Sequence, residues 1–371
     1  WYNRYDGLQI GAIAKGNYFK QKYTYNAGLY YNTSLGQNSV VDSLVNENQK
    51  IEAYIKLSQQ LTKVGKRLYA NEYFYYGTGL WKAGFGFDKT FKNQGSRQPN
   101  YSKFSVVFDF MYREKNENYL FYPDEWSREK LNNSITFNFL RHYKYNKGTG
   151  DINLGLRTPN VGSDFNYSYA DVEVLNKKKI GKFAINSRLY GRLGTGETPS
   201  ESALYAAGAN QQEMMDNKFT KAPGFFPSDW EGYGNNTNHF HAGGGLNLRG
   251  YSGYILNQLY GVAYKGRSGA SANIELEFQQ LLDRRPSKSH KMKLSTYLFY
   301  DIGVIRYSSN LGPTAVSNII SDAGLGTAMK INFGYFAIKP LTIRFDMPFY
   351  LSDAPEENFD WRFVVGVNRA F

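Results

Sequence analysis

Apolar and polar residues alternate along most of this chain, and residues 101–115 show the pattern most plainly. One face of that stretch is apolar and aromatic throughout: Phe104, Val106, Phe108, Phe110 and Tyr112. The intervening positions are polar, among them Ser105, Asp109 and Arg113. A repeat of two is the period of a β-strand, whereas an amphipathic helix repeats every ~3.6 residues. The stretch is therefore predicted to be a strand with one apolar face.

The same pattern predicts fifteen strands along the whole chain. They lie near 6–17, 23–35, 51–62, 67–77, 80–92, 101–115, 135–139, 150–158, 164–177, 180–195, 270–282, 293–307, 325–334, 340–351 and 361–371. No linker, low-complexity tract or change of composition divides them. We therefore expect a single domain over residues 1–371, either by itself or as the C-terminal part of a longer protein.

The connections between these strands separate into long and short ones. Long connections are predicted at 36–50, 116–130, 196–268 and 308–323, and successive pairs of them are separated by four, four and two strands. Because every count is even, an antiparallel meander places all four on one side of the sheet. Short turns on one side and long loops on the other are typical of outer-membrane β-barrels. A soluble β-sandwich also alternates, but it needs neither this segregation nor so many aromatic residues.

The composition agrees with a barrel whose outer face meets lipid. The 371 residues are 17% aromatic, with 32 Tyr, 26 Phe and 37 Gly, unlike an average globular protein. No run of about 18 apolar residues occurs, so we predict no transmembrane helix. The mean hydropathy of −0.55 fits a barrel because only alternate residues of each strand face lipid. The expected fold is an all-β transmembrane antiparallel barrel of the bacterial outer membrane.

Sequence motifs of catalysis, metal binding and phosphate binding are absent. There is no H-E-x-x-H, G-x-S-x-G or P-loop, and no Cys for a thiolate site. His239 and His241 form an H-x-H pair without an evident third ligand, and a solvated loop explains this pair better than a metal site. We therefore predict no enzyme activity, no catalytic residue, no metal and no cofactor.

The net charge of +12 invites comparison with nucleic-acid-binding proteins. The basic residues lie in scattered turns, such as Arg284-Arg285, rather than on one face with stacking aromatic residues. Solvated turns near lipid headgroups account for them, and the aromatic residues are better explained as lipid-facing positions and interfacial girdles. We predict no nucleic-acid partner.

The longest stretch without a strand pattern, residues 196–268, contains Leu248-Arg249-Gly250-Tyr251 close to a run of glycines. A segment of that length within a compact protein is usually functional or disordered. Glycine lets the backbone pass close to a wall, while the arginine fork can reach sideways to carboxylates. A surface turn with a solvated arginine is the alternative, and the motif by itself does not exclude it.

The C-terminal stretch 361–371 alternates as well and ends on an aromatic residue. Its apolar positions share one face: Trp361, Phe363, Val365, Val367 and Phe371. This pattern resembles the C-terminal targeting signal of outer-membrane barrels. It departs from that signal at Arg369, where an aromatic residue is usual.

Leu248-Arg249-Gly250-Tyr251 resembles the lid-loop motif of the outer-membrane protein assembly factor superfamily, the BamA-like or bacterial surface antigen barrels. Further stretches resemble that superfamily, at 3–8, 274–278, 298–303, 322–326 and 340–349. Five predicted strands follow the motif, as in the superfamily's sixteen-stranded barrels. The resemblance is specific over about 240–371 and one of general pattern elsewhere. It implies sixteen strands, a long loop folded into the lumen, and a part in protein insertion or transport.

An even strand count is expected for a bacterial barrel, so one strand beyond the fifteen is needed. It lies either upstream of Trp1 or within about 17–50. We favour the second position, because residues 3–8 resemble the start of the superfamily's first strand.

Alternation also predicts acidic groups on the luminal wall. Glu275 and Glu277 alternate with apolar residues that face lipid, and so does Asp301. A guanidinium can bridge two carboxylates, and partial shielding can make such a pair stronger than a surface ion pair. The resemblance gives this role to Arg249 with Glu277 and Asp301. The alternative is that the carboxylates only solvate a watery lumen.

Strands 6–17 and 361–371 must meet to close the barrel, and we call their junction the seam. Gly11 in the first of them and Gly366 in the last would weaken or bend it. A weak seam can open sideways and pair with a strand of a client protein. The leading hypothesis is thus a barrel that inserts or translocates proteins, with lipid, client proteins and periplasmic domains as partners. A membrane anchor for an upstream periplasmic domain and a passive pore are the alternatives.

Overall fold

The computed structural model describes residues 2–3, 6–18, 22–35, 50–92, 100–114, 126–216, 220, 238–252, 265–278, 291–307, 315–332, 341–354, 357–367 and 370–371. The strands in these residues are β1 (Tyr2–Asn3), β2 (Gly7–Tyr18), β3 (Tyr23–Asn32), β4 (Ile51–Gln60), β5 (Leu68–Gly77), β6 (Leu80–Lys92), β7 (Tyr101–Arg113), β8 (Ser134–Tyr145), β9 (Gly148–Pro159), β10 (Tyr167–Ile180), β11 (Phe183–Gly196), β12 (Leu204–Tyr205), β13 (Asn238–Phe240), β14 (Lys265–Gly266), β15 (Ser268–Phe278), β16 (Lys291–Tyr307), β17 (Ala315–Val316), β18 (Ile320–Asn332), β19 (Leu341–Leu351) and β20 (Phe363–Val367). One short helix, α1 (Gln211–Met215), and two 3₁₀ turns, Ser200–Ser202 and Arg249–Tyr251, lie between β11 and β15.

The long strands form one antiparallel meander, in which each strand pairs with the next. Short turns suffice for such neighbours because antiparallel strands can be joined by a tight hairpin. The meander continues across the long segment, since β11 pairs with β15 from Phe183↔Phe278 to Arg192↔Gly269. The two strands on either side of the segment are therefore direct neighbours, and the segment has no place in the wall between them.

The wall carries apolar side chains outward and charged side chains inward, the reverse of a soluble protein. On β15, Ile274 is 48% exposed, whereas Glu275 and Glu277 are 0% and 1% exposed. On β7, Phe104 is exposed and Arg113 is fully buried. This arrangement suits a barrel in lipid, where apolar residues face hydrocarbon and polar residues face the interior. The all-β antiparallel fold with an apolar outer face, predicted from alternation, is confirmed.

Several strand boundaries differ from the prediction; the strand expected at 135–139, for example, covers Ser134–Tyr145. Residues 177–179 were expected in a turn but lie within β10, whose pairing with β11 runs on to Ile180↔Phe183. The strand expected at 325–334 begins earlier, at Ile320. The last strand covers only Phe363–Val367 instead of 361–371. Trp361 lies before β20 and is 82% exposed, so the apolar alternation extends beyond the paired residues.

A short strand, β1, precedes the first predicted strand. It pairs antiparallel with β2 through Tyr2↔Leu8 and Asn3↔Gly7. The described part of the range 17–50 holds one strand after β2, namely β3, so the location favoured there for the sixteenth strand stays a prediction. Residues 36–49 of that range lie outside the described residues.

The strand order places the four predicted long connections on one side of the sheet, but the connection after β15, residues 279–290, is as long as that after β16 and lies on the other side, so loop lengths separate only in part. The four predicted long connections follow β3, β7, β11 and β16, and four, four and two wall strands lie between successive members of this series. Much of the predicted loops 36–50 and 116–130 falls outside the described residues. No helix in the described part of the chain is long and apolar enough to cross a membrane.

Labelling of single cysteines will test which side of the membrane the long loops occupy. Val161 lies on the long-loop side, between β9 and β10, and is 88% exposed, while Val64 lies on the short-turn side and is 76% exposed. The natural chain has no Cys, so each variant carries a single reactive thiol. We expect a bulky maleimide polymer added to intact cells to label Val161→Cys and to spare Val64→Cys until the cells are lysed. Labelling of Val64→Cys alone would invert the orientation.

Candidate functional site in the barrel lumen

The long segment between β11 and β15 returns into the barrel and packs against the wall. Leu246 and Leu248 are fully buried, together with Ile305 of β16, Ile320 of β18 and Leu351 of β19. This cluster is the apolar floor on which the motif rests. It forms because apolar residues at these few luminal positions have no lipid to face and bury one another instead.

The motif itself forms a 3₁₀ turn, Arg249–Tyr251, directly after a run of left-handed residues. Gly245 has φ 51° and Asn247 has φ 59°, values that glycine and asparagine tolerate best. A Cβ on Gly250 would lie 2.6 Å from the Leu351 side chain and 2.7 Å from that of Asp322. Only glycine therefore lets the turn lie flat on β18 and β19, which brings Arg249 to the wall.

Arg249 is fully buried and binds two wall carboxylates at once. Its Nε donates to Asp301 Oδ2 at 2.8 Å, its Nη2 donates to Asp301 Oδ1 at 3.3 Å, and its Nη1 donates to Glu275 Oε1 at 2.9 Å. Asp346 of β19 lies 3.7 Å from Nη1. The guanidinium also lies over two aromatic rings, 4.3 Å from the centroid of Phe299 and 5.7 Å from that of Phe371. The planar fork thus joins the loop to β15, β16 and β19.

The charge on Arg249 is maintained by these neighbours. Burial by itself disfavours the charged guanidinium, but the carboxylates of Asp301, Asp346 and Glu275 outweigh burial and raise the pKa of Arg249 well above its ordinary value. Arginine is already protonated at any physiological pH. The attachment is therefore a permanent ionic one within the pH range of a cell.

Glu277 was expected beside Arg249 but occupies a different place. It forms an ion pair with Lys177 at 3.1 Å and accepts a hydrogen bond from Asn186 at 3.3 Å. Asp301 pairs across the sheet with Asn273, so Glu275 is its diagonal neighbour and Glu277 lies a further two residues along β15. Of the three carboxylates predicted to face the motif, Asp301 and Glu275 bind Arg249, whereas Glu277, the partner on β15 that the resemblance implied, pairs with Lys177.

A second arginine, Arg344 of β19, extends the charged cluster, and the sequence reasoning gave it no role. It forms a close ion pair with Asp346 and contacts His241 Nδ1 at 2.5 Å. His241 Nε2 lies 2.6 Å from the carbonyl oxygen of Ala207, so this nitrogen donates and Nδ1 accepts from Arg344. The signal in the sequence was the charged pair at alternate positions of β19, between lipid-facing apolar residues.

His241 is therefore not part of a solvated loop, as the sequence suggested, because it is 1% exposed. The His239 side chain lies outside the description. Among the described residues, no group of three or more His, Cys, Asp or Glu side chains could hold a metal ion.

Tyr251 fastens the end of the motif to the connection after β19. Its hydroxyl donates to the Ser321 carbonyl at 3.2 Å and accepts from the backbone N–H of Asp353 at 3.2 Å. Burial raises the pKa of Tyr251 to about 12, so the hydroxyl keeps its proton and remains a donor. The motif therefore contacts four successive wall strands, β15 to β19, through Arg249, Gly250 and Tyr251.

Further contacts attach the described parts of the segment to β11, to β15 and to the residues before β8. Arg188 of β11 donates to the Gly245 carbonyl at 2.8 Å, and Asn273 of β15 donates to the Asn247 carbonyl at 3.0 Å. Glu201 accepts from Asn132 Nδ2 at 2.8 Å, and burial raises the pKa of Glu201. The described parts of the segment are thus held at several points of the wall.

The seam residues fall into two groups. Phe363 of β20 stacks on Phe345 of β19, with ring centroids 5.5 Å apart, while Gly366 lies against the Arg344 guanidinium and the His241 carbonyl. Gly11 of β2 lies against Tyr30 of β3. Phe371 does not continue the outward face as predicted, because its ring lies beside Arg249 in the lumen. The paired strand ends at Val367. Phe371 lies beyond it, so its side chain need not alternate between the outer and inner faces of the wall.

Within the described residues, no backbone pairing joins β2 to β20. One edge of β20 pairs with β19 through Ile343↔Val367 to Asp346↔Val364. The other edge pairs in parallel with β13, which belongs to the long segment. The pairing of β2 with β20 therefore stays a prediction.

Comparison with protein-family models finds no match, and comparison with curated proteins finds none either. Among solved structures, CdiB from Escherichia coli matches with a TM-score of 0.52 and 9% identity over 98% of this chain. This chain spans 60% of that CdiB chain. BamA from Haemophilus ducreyi lacking POTRA domains 1–3 gives 0.49 at 14% identity, covering 99% of this chain and 69% of that one. OccK10 (OpdN) of Pseudomonas aeruginosa gives 0.35 at 7% identity, covering 96% and 87%.

At this level of identity, the likeness to CdiB concerns the fold. The β-barrel fold predicted from the sequence is the fold that this chain shares with CdiB over almost its whole length.

Proposed function

We propose that this chain is the barrel of an outer-membrane protein that inserts or translocates other proteins. Its chemistry would be the pairing of strands, without a catalytic residue or a cofactor. Its partners would be the lipid of the outer membrane, client proteins in an extended state and periplasmic domains.

The observation that carries the proposal is the buried attachment of Arg249 to Asp301 and Glu275. A passive pore requires an open lumen, whereas here a long segment is fixed across it by a fully buried ionic contact. Burying a charge is costly unless its partners are well placed, so such a contact points to a selected function. A fixed segment in the lumen leaves the wall as the route for a client.

Two features of the wall support a lateral route. The last strand β20 is five residues long, whereas its neighbour β19 has eleven, so its pairing in the wall is short. Phe371 is turned into the lumen rather than along the wall. A short terminal strand presents backbone groups that an extended client segment can bind by β-augmentation.

The second candidate is a membrane anchor for a periplasmic domain. The observation that favours it is that this chain spans only 60% of the CdiB chain that it resembles. An anchor needs the same wall and the same fixed segment, but it does not need the seam to open.

Folding of a client in proteoliposomes distinguishes these functions. We expect vesicles that contain this barrel to speed the conversion of a urea-unfolded eight-stranded outer-membrane barrel to its protease-resistant form. Vesicles that contain a porin of the same strand number are the control and should match empty vesicles. Equal rates with and without this chain would refute the insertase proposal and leave the anchor.

A locked seam tests the lateral route separately. Val367→Cys is combined in turn with a cysteine at each position of β2, and oxidation should crosslink the pairs that face each other. We expect the crosslinked barrel to lose client folding and to regain it on reduction, because a closed wall offers no edge to a client strand. Unchanged client folding in a fully crosslinked barrel would exclude this route.

A further inference from the structure

The edge of β20 that faces away from β19 is already occupied by the chain itself. β13 pairs with it in parallel through Asn238↔Phe363, His239↔Val364 and Phe240↔Val365. The backbone N–H of His241 then donates to the Val365 carbonyl at 2.8 Å. We call residues 238–241 the occupant segment.

Side chains fix the occupant segment on both sides. Phe240 is 4% exposed and packs with Met214 of α1 and Val367 of β20. His241 lies between Arg344 of β19 and the carbonyl of Ala207. These contacts join the occupant segment to the wall on one side and to the rest of the luminal loop on the other. Movement of the occupant segment is therefore coupled to movement of the luminal loop.

The pairing is nevertheless short and of the weaker kind. It covers three residue pairs, and parallel pairing is slightly less stable per residue than antiparallel pairing. A typical strand has about five or six residues. An antiparallel client strand of ordinary length would therefore form more backbone hydrogen bonds with β20 than the occupant segment does.

We propose that the occupant segment is an autoinhibitory strand, which holds the client-binding edge of β20 until an extended client strand displaces it. The inference rests on the proposed function and adds to it the location of the client site and the element that guards it. It also explains why the luminal loop and the seam belong to one mechanism. Displacement of residues 238–241 removes the His241 contact with Arg344, whose partner Asp346 lies within reach of Arg249.

A matched pair of disulfides tests this inference, and the natural chain has no Cys to interfere. Phe240→Cys with Val365→Cys joins the occupant segment to β20. Phe345→Cys with Val365→Cys joins β19 to β20 at the same residue, because Val365 pairs with both partners. Both variants are placed in vesicles and given the urea-unfolded eight-stranded barrel.

We expect oxidation to reduce client folding by the first variant to the rate of empty vesicles, with full recovery on reduction. The control variant should fold the client equally well when oxidised and reduced, because β19 and β20 stay paired throughout. The inference would be overturned if the first variant, when fully crosslinked, folds the client as fast as it does after the disulfide has been reduced.

A photo-crosslinking amino acid at Val364 provides a second measurement that needs no cysteine pair. Without client, it should attach to residues 238–241, and with client present the adducts should shift to the client. Persistent attachment to residues 238–241 during client folding would also overturn the inference. If the natural barrel itself does not fold the client, both the proposed function and this inference are refuted. If the natural barrel folds the client and the disulfide between the occupant segment and β20 has no effect, only this inference is refuted.

Discussion

Replacing Arg249 by alanine is expected to release the luminal segment while leaving the barrel wall intact. Asp301 and Glu275 would lose their common partner, and both are fully buried. Removing one partner of a buried pair costs about 3–5 kcal/mol, and a luminal site with access to water should lie near ~3 kcal/mol. The outward alternation is unchanged, so the barrel should still fold and resist heat in detergent.

The measurements are urea unfolding of the purified barrel, protease sensitivity of residues 197–252, and client folding in vesicles. We expect a lower free energy of unfolding, rapid cleavage within the segment, and client folding slower by up to about a hundredfold, the factor that corresponds to a loss of ~3 kcal/mol. Normal client folding with a cleavable segment would separate the attachment from the function.

Three variants serve as comparisons for Arg249→Ala. Arg249→Lys should recover only part of the loss, because an ammonium cannot bridge Asp301 and Glu275 as the planar fork does. Arg249→Ala with Asp301→Asn and Glu275→Gln should recover stability, because no unpaired charge remains, but not the position of the segment. Lys103→Ala removes a partly exposed pair with Asp88 at 3.5 Å and should cost about 0–1 kcal/mol.

Removing the luminal segment is expected to convert the barrel into an open pore. The backbone N–H of Gly194 in β11 donates a hydrogen bond to Ser268 Oγ of β15 at 2.9 Å. The two strands are therefore close enough for a short turn to replace residues 197–266. A barrel of about sixteen strands leaves an aqueous channel when nothing fills it. Single-channel conductance should rise on the order of tenfold and become steady, whereas the natural barrel should conduct little.

Shortening the turn at 61–67, on the opposite side of the wall, is the matched control and should leave the conductance unchanged. This turn follows β4 and lies outside the luminal contacts of Arg249. If the barrel without residues 197–266 conducts no better than the natural barrel, then the segment is not what closes the lumen. An equally high conductance in the natural barrel would support the passive-pore alternative instead.

The strands of the wall and the faces of their side chains follow from the amino-acid pattern without knowledge of the fold. A β-strand has a side-chain repeat of two, so the placement of Glu275 and Asp301 on the inner face follows from their neighbours alone. The pairing of β11 with β15 could be anticipated in the same way, since even numbers of strands between long connections fix which ends lie together. Lipid imposes this pattern on every strand, and it therefore survives in the sequence without any knowledge of contacts.

The offset between neighbouring strands and the path of the luminal segment depend instead on contacts in the folded chain. Glu275 and Glu277 share one face, and the choice between them depends on the offset between β15 and β16, which places Asn273 opposite Asp301. Phe371 lies beside Arg249, and residues 238–240 pair with β20. Both positions depend on the path of the luminal segment, whose sequence has no periodic pattern of apolar residues. Alternation indicates which face of a strand a residue occupies. The offset between strands and the path of the loop are set by contacts between residues far apart in the chain, and such contacts leave no periodic pattern in the sequence.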